Sequence, residues 1–258
     1  DIGLIHADLA ASVWPGLSGV ILPGVTRVDQ VIEVDQLLSA LEAGRGVVKP
    51  APLGEIREAD DPRGPEQALE IHLCLDTGSG NLDAVDLIHA SSRIKSVSLG
   101  RADLVMDLRE EPTGDLHLLP YLMQRLIIIA GATNVQPIGA WWRANSRGLV
   151  ASDDDTLEAA IAGRHSGFRG ALCMRARQVF HLNVGFTPSA SEVEWASSVI
   201  NSFAQTRNGE PSSAVVNGEI TPHSMVAIAT HTLEWASACQ ARDQSKGLVS
   251  MPRNQKKD

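Results

Sequence analysis

The chain has 258 residues, 43% of them hydrophobic and 21% charged, which is enough apolar material for one large domain or two small ones. Thirty-one acidic and 22 basic residues give a net charge of −9, and an acidic surface repels phosphate backbones, so a nucleic-acid partner is not expected. The three cysteines, Cys74, Cys173 and Cys239, are far apart without C-x-x-C spacing, which excludes a disulfide framework and a zinc knuckle and suits a reducing cytoplasm. The longest apolar run, Leu126 to Ala132, falls far short of the roughly 18 residues of a membrane span. No signal peptide is visible, but the chain begins with Asp1 and its first residues read as the end of a longer unit, so upstream sequence is expected.

In chain order, Gly19 to Pro23 is an apolar run closed by proline, a strand. Val28, Val31, Val34, Leu37, Leu38 and Leu41 recur at three- and four-residue steps and predict an amphipathic helix ending near Gly44. Pro50 to Pro65, with four prolines and two glycines, reads as a long loop. Leu69 to Leu75 is the next strand, Asn81 to Ala90 a short helix, and Ile94 to Leu99 a strand ending at Gly100-Arg101-Ala102-Asp103. Leu116 to Ala130 is a helix with Pro120 tolerated near its start. Asn134 to Trp141 is a weaker strand, Asp153 to Gly163 a helix with acids in its first turn, and Gly170 to Met174 a fifth strand that buries Cys173. Ser189-x-x-Glu192 is a capping box opening a helix through Phe203. Val215 to Gly218 reads as a turn, His223 to Cys239 as the last helix, and the chain beyond Gln240 as a frayed polar tail.

This alternation implies an α/β fold with a parallel sheet and helices outside it. Five strands suit an open doubly wound sheet, or a (β/α)8 barrel whose first three strands lie upstream. In either case chemistry sits at the carboxyl ends of the strands, where Asp76 and Asp103 fall. Two carboxylates from neighbouring strands suit Mg²⁺, which keeps waters or substrate oxygens as its other ligands. Each acid could equally cap the helix that follows it. Arg101 and Arg175 are candidate catalytic cations, and Trp141-Trp142-Arg143 could wall a pocket or cover a subunit interface. The eight histidines lack metal-ligand spacing and read as ordinary surface or core residues. Trp195 and Trp235 read as packing.

Several segments resemble one family in order. Asp76-Thr77-Gly78-x-x-Asn81 is similar to the "I-E-T-x-x-G-x-x-N" segment of the HpcH/HpaI aldolase and citrate lyase beta-subunit family, and Gly100-x-x-Asp103-Leu104 to its "G-x-x-D-L". Val20 to Pro23 resembles its "V-x-L-P-K" strand, and Gly167 to Gly170 with Asn183, Phe186, Pro188, Glu192 and Trp195 resembles its later motifs. The resemblance implies a TIM barrel, here lacking its first three strands, with a C-terminal helical extension: a catalytic domain over residues 1–204, an extension over 205–240 and a tail over 241–258. It implies a Mg²⁺-dependent carbon–carbon lyase or aldolase acting on an acyl-CoA thioester (malyl-, citramalyl- or citryl-CoA-like) or a 2-oxo acid. By position Asp76 and Asp103 would hold the metal, and the assembly would be a cytoplasmic homo-oligomer, a trimer or hexamer, without nucleic-acid or membrane partners. The chain departs from the family where a lysine becomes Gly24, another lysine becomes Ala171, a His-Pro pair becomes Arg175-Ala176 and an aspartate becomes Thr221. An aspartate of the seventh-strand segment aligns loosely with Gly139. These losses imply a second reading, a catalytically degenerate homologue serving as a structural or ligand-binding subunit. Isolated barrel edges expose unpaired backbone, so poor expression of the chain alone is also expected.

Overall fold

A computed structural model describes residues 2–14, 17–45, 68–108, 119–142, 150–204 and 212–245. These fall into two compact units, divided between Phe186 and Thr187. The expected loop over 50–65, the first residues of the expected helix at 116, Arg143 and the chain after Ser245 lie outside the described residues.

The first unit carries helix α1 (Ile2–Ser12), strand β1 (Gly19–Leu22), α2 (Val28–Arg45), β2 (Glu70–Leu75), α3 (Gly78–Leu82), α4 (Ala84–His89), β3 (Ile94–Leu99), α5 (Arg101–Leu108), α6 (Leu119–Thr133), β4 (Gln136–Ile138), α7 (Asp153–Ser166) and α8 (Gln178–Phe186). Its sheet has the order β1-β2-β3-β4, and every pairing is parallel. The period of two in β2 decides what each face meets. Ile71, Leu73 and Leu75 are buried in the core that also takes Val31, Val34 and Leu38 from α2 and Leu87 and Ile88 from α4. Glu70, His72 and Cys74 point to the other face and are only partly covered. The register sets His72 beside Ser96 and Cys74 beside Ser98.

Two local expectations change. Gly170 to Met174 is not a strand: only Gly170 bridges the sheet, to Ile138, and Cys173 is exposed rather than buried. An apolar run of five without a following ladder partner had the composition of a strand but not its pairing. Gln178 to Phe186, for which the sequence pattern predicts no element, is helical. It packs closely on α7, where Gly185 lies so near Ala160 that an added Cβ would meet that methyl at 2.4 Å. The first turn of α7 forms a full capping box, with Ser152 and Asp155 each bonding the other's backbone N–H.

The second unit holds α9 (Ala190–Ala204), β5 (Ser213–Val216), β6 (Glu219–Pro222) and α10 (Ser224–Ser245). The Ser189 capping box is present: Ser189 N–H donates to Glu192 Oε2 at 2.7 Å, and Glu192 N–H to Ser189 Oγ at 3.2 Å. The expected turn at Asn217-Gly218 joins an antiparallel hairpin. Both residues have positive φ, 53° and 88°, the requirement of a two-residue hairpin turn. Val199, Phe203, Val216 and Ala229 form the core of this unit, with Trp195 packed against it. Trp235 meets the His231 ring edge to face. Helix α10 continues past Cys239 to Ser245, through part of the segment expected to fray.

Candidate active site

The site lies where β2 and β3 end. Asp76 follows β2 directly and is only 4% exposed. The backbone N–H of Gly24 donates to both of its oxygens, at 3.0 and 2.8 Å. Gly24 has φ +70°, a left-handed conformation that suits glycine and aims its N–H back at the carboxylate. The rest of the motif holds the turn. Thr77 caps α3 by accepting from Gly80 N–H at 3.0 Å. The buried Asn81 amide donates to the carbonyls of Leu75 and Thr77 at 3.3 and 2.9 Å. Asp107 accepts from Gly78 N–H at 2.6 Å, which ties α5 to the same turn. Asp76 is thus the motif member whose carboxylate bonds the segment after β1 rather than its own turn.

Gly100 lets the segment that leads to the second carboxylate pass close to Asp76. Its N–H donates to Leu75 O at 3.0 Å, and an added Cβ would meet the Asp76 Cβ at 2.3 Å and Cys74 Sγ at 3.0 Å. Only glycine lets β3 pass so near Asp76. Asp103 then sits exposed in the first turn of α5. The Cys74 thiol registers both acids: burial pushes it up, a hydrogen bond with Ser98 pulls it down, and the negative charges of Asp76 and Asp103 push it up again. Among the described residues no basic side chain pairs with Asp76 or Asp103, and no group of three or more His, Cys, Asp or Glu side chains converges as a metal cage. A buried carboxylate left without a cationic partner, beside a second one open to water, fits a hard divalent cation that keeps most of its waters.

Arg101 begins α5 and lines a cavity of about 410 Å³ together with Ser98, Met123, Ile138, Trp142 and Phe168. Most of the remaining wall is aliphatic. Trp142 is thus a cavity wall. Arg175 is exposed, its backbone N–H donating to Gln178 Oε1 at 3.1 Å, and it is not among the cavity-lining residues. Sequence reasoning missed one cluster altogether. His72 Nδ1 lies 2.7 Å from Ser96 Oγ, and its Nε2 lies 2.8 Å from Ser98 Oγ. Strand alternation carried the signal, because His72 and Cys74 share one face of β2 as Ser96 and Ser98 share one face of β3.

A parallel α/β sheet with two acids after its carboxyl edge, and a cavity of about 410 Å³ whose wall includes neither acid, is an arrangement of the barrel class. The chain belongs to the HpcH/HpaI aldolase/citrate lyase family, whose model matches residues 1–176. It is 27% identical over 168 residues to a (3S)-malyl-CoA thioesterase of Cereibacter sphaeroides, covering 65% of this chain but only 56% of that relative. It is 22% identical over 239 residues to the citrate lyase subunit beta of Haemophilus influenzae, covering 92% and 74% of the two chains. Among solved structures, a citrate lyase from Burkholderia xenovorans LB400 superposes with a TM-score of 0.67 at 13% identity, over 97% of this chain and 71% of that one. CitE from Mycobacterium tuberculosis, solved with magnesium, acetoacetate and coenzyme A, superposes with a TM-score of 0.59 at 16% identity, over 85% and 68%. The fold is that of citrate lyase beta-like TIM barrels. Among the described residues no helix is long and apolar enough to cross a membrane.

Proposed function

We propose that this chain acts as a Mg²⁺-dependent carbon–carbon lyase on an acyl-CoA thioester or 2-oxo acid. The observation that carries the reading is the Asp76–Asp103 pair: one acid buried, neither matched by a basic side chain among the described residues, both acting on Cys74. In this reading Asp76 and Asp103 hold the cation. When bound, Mg²⁺ supplies a Lewis acid that polarises a carbonyl and offsets the charge of an enolate. The chain's own residues do the rest. Gly24 N–H fixes both oxygens of Asp76, and the buried position keeps that carboxylate out of competing water. Arg101, at the cavity rim, orients an anionic substrate group, and the aliphatic wall seats the remainder. Arg175 is exposed and does not line the cavity, so the substrate role falls to Arg101. The magnesium and coenzyme A in the CitE structure support the ligand class. Assembly as a homo-oligomer in the cytoplasm belongs to the same proposal.

The degenerate-homologue reading draws on Gly24 and Ala171, which leave the site's rim without the two lysines of the family pattern. A thermal-melting titration with Mg²⁺ tests the metal reading. Wild type should melt higher with Mg²⁺, and Asp76→Ala and Asp103→Ala should each lose the rise. No rise in a cooperatively folded sample would refute it. Turnover assays with malyl-, citramalyl- and citryl-CoA then separate the two readings. Binding of a CoA ester without cleavage would assign the chain to the degenerate class.

A further inference from the structure

The His72–Ser96–Ser98 cluster between β2 and β3 holds neither carboxylate, although Ser98 also hydrogen-bonds the Cys74 thiol. Ser98 stands on β3, 4% exposed, and its residue forms part of the wall of the 410 Å³ cavity. Its hydroxyl lies 2.8 Å from His72 Nε2, and the other ring nitrogen is held by Ser96 Oγ at 2.7 Å. A hydroxyl within hydrogen-bond reach of an imidazole, which is in turn oriented by a third group, is the arrangement that activates a serine nucleophile. Both groups sit on rigid neighbouring strands rather than on loops, with His72 and Ser96 in register. Burial holds the His72 pKa below the ordinary imidazole value of 6.5, so the ring is neutral near pH 7 and has a lone pair to accept a proton.

We propose that Ser98 is a nucleophile and His72 its general base, forming an acyl-transfer site that takes aliphatic acyl thioesters or activated esters from the cavity. The acyl chain class follows from the wall, where Val105, Met123, Leu126, Ile138 and Phe168 offer apolar contact. In the first half-reaction the Ser98 Oγ proton passes to His72 Nε2, and Oγ bonds to the carbonyl carbon. The carbon–sulfur bond then breaks, and the departing sulfur leaves as a thiol with the proton from His72. In the second half-reaction water gives a proton to His72 and its oxygen bonds to the acyl carbon. Ser98 leaves with that proton, and a carboxylic acid is released. No electrons are gained or lost and no metal is needed, so this site does not rest on the carboxylate reading.

The test uses the full chain with a fluorophosphonate and with p-nitrophenyl butyrate, and peptide mass spectrometry to locate the adduct. Wild type should carry the phosphonyl group on Ser98. His72→Gln should slow labelling by about a hundredfold or more, as loss of a general base does. Ser98→Ala should abolish it, while added chelator leaves it intact. Ser96→Ala should retain the adduct at reduced rate, because only the ring's orientation is loosened. Wild-type protein that melts cooperatively yet carries no adduct on Ser98 would overturn the proposal, whatever the variants do. Equal labelling rates in wild type and a folded His72→Gln would also overturn it. Loss of labelling on chelation would place any ester chemistry at the carboxylate pair instead.

Discussion

The two ends of the parallel sheet treat charge in opposite ways. At the amino end, Arg93 enters β3 only 9% exposed, and every N–H of its guanidinium has an acceptor. Nε donates to Asp35 at 2.6 Å, Nη1 to Glu42 and to Leu69 O at 2.9 and 3.1 Å, and Nη2 to Glu42 and Ser39 at 2.7 and 2.9 Å. Glu42 in turn accepts from Leu69 N–H at 2.5 Å, and Ser91 donates to Asp35 at 2.6 Å. At the carboxyl end, Asp76 is as deeply buried but, among the described residues, is supported only by the Gly24 amide. A closed network fixes α2 to β2 and β3. An open one holds a charge whose partner is not a side chain of the described residues. Barrel folds commonly divide their two faces between stability and binding, and the proposed site would follow that division.

The largest effect should come from breaking the closed end. Arg93→Ala leaves Asp35 and Glu42 facing each other without a cation, and removing one partner of a buried ion pair costs roughly 3–5 kcal/mol. Urea melts should show a loss of that order with an unchanged m-value. A loss under about 1 kcal/mol would mean that water screens the network and that the two ends do not differ.

Gly100→Ala comes next. The methyl would stand 2.3 Å from Asp76 Cβ, so Asp76 or β3 must move, at about 1–3 kcal/mol. The displacement strikes the open end, so any Mg²⁺-induced rise in melting temperature should shrink more than the destabilisation alone explains. A full Mg²⁺ response in Gly100→Ala would show that the carboxylate pair tolerates displacement.

Acid should distinguish the ends by pH window. Burial pushes the Glu42 carboxyl up, but its hydrogen bonds from Arg93 and from Leu69 N–H outweigh this and hold it below the ordinary 4.5. The unfolded chain then binds a proton more readily than the folded one, so this stability is present above 4.5 and lost as pH falls through the folded value. His72 is held below 6.5 by burial, so its part of the stability declines as pH drops below 6.5 and levels off beneath the folded value. Melting curves from pH 8 to 3 should show both declines. His72→Gln should remove the upper one alone, and Arg93→Ala should weaken the lower.

The sequence made the open end readable and hid the closed one. Asp76-Thr77-Gly78 and Gly100-x-x-Asp103 are local patterns that follow recognisable strands, so their place at the sheet's carboxyl edge follows from strand polarity. The helix face of Val31, Val34 and Leu38 was equally legible, because a 3.6-residue period needs no partner to be seen. Arg93, Asp35 and Glu42 lie more than 50 residues apart in sequence from acid to base, and nothing local distinguishes them from solvated charges. The hairpin of β5 and β6 was seen only as its turn, since Asn217-Gly218 is the strong signal and strands of four residues show little alternation. The run at Gly170 failed for the converse reason, because apolar composition does not guarantee a ladder partner.

Asp76→Asn should have the smallest effect on stability, and for that reason bears most sharply on the contrast. The amide carbonyl can still accept from Gly24 N–H, so at least one of the two hydrogen bonds survives the change. What is lost is the charge-assisted part of that bond, worth about 1 kcal/mol relative to a neutral one. What is gained is relief from placing a buried negative charge beside Asp103 without a basic side chain. The two terms oppose each other, so in chelator the melting temperature should stay within a few degrees of wild type, or rise. Adding Mg²⁺ should then stabilise wild type and leave Asp76→Asn unmoved. A large destabilisation in chelator would show that Asp76 is a structural cap after all, and that the carboxyl end is as closed as the amino end.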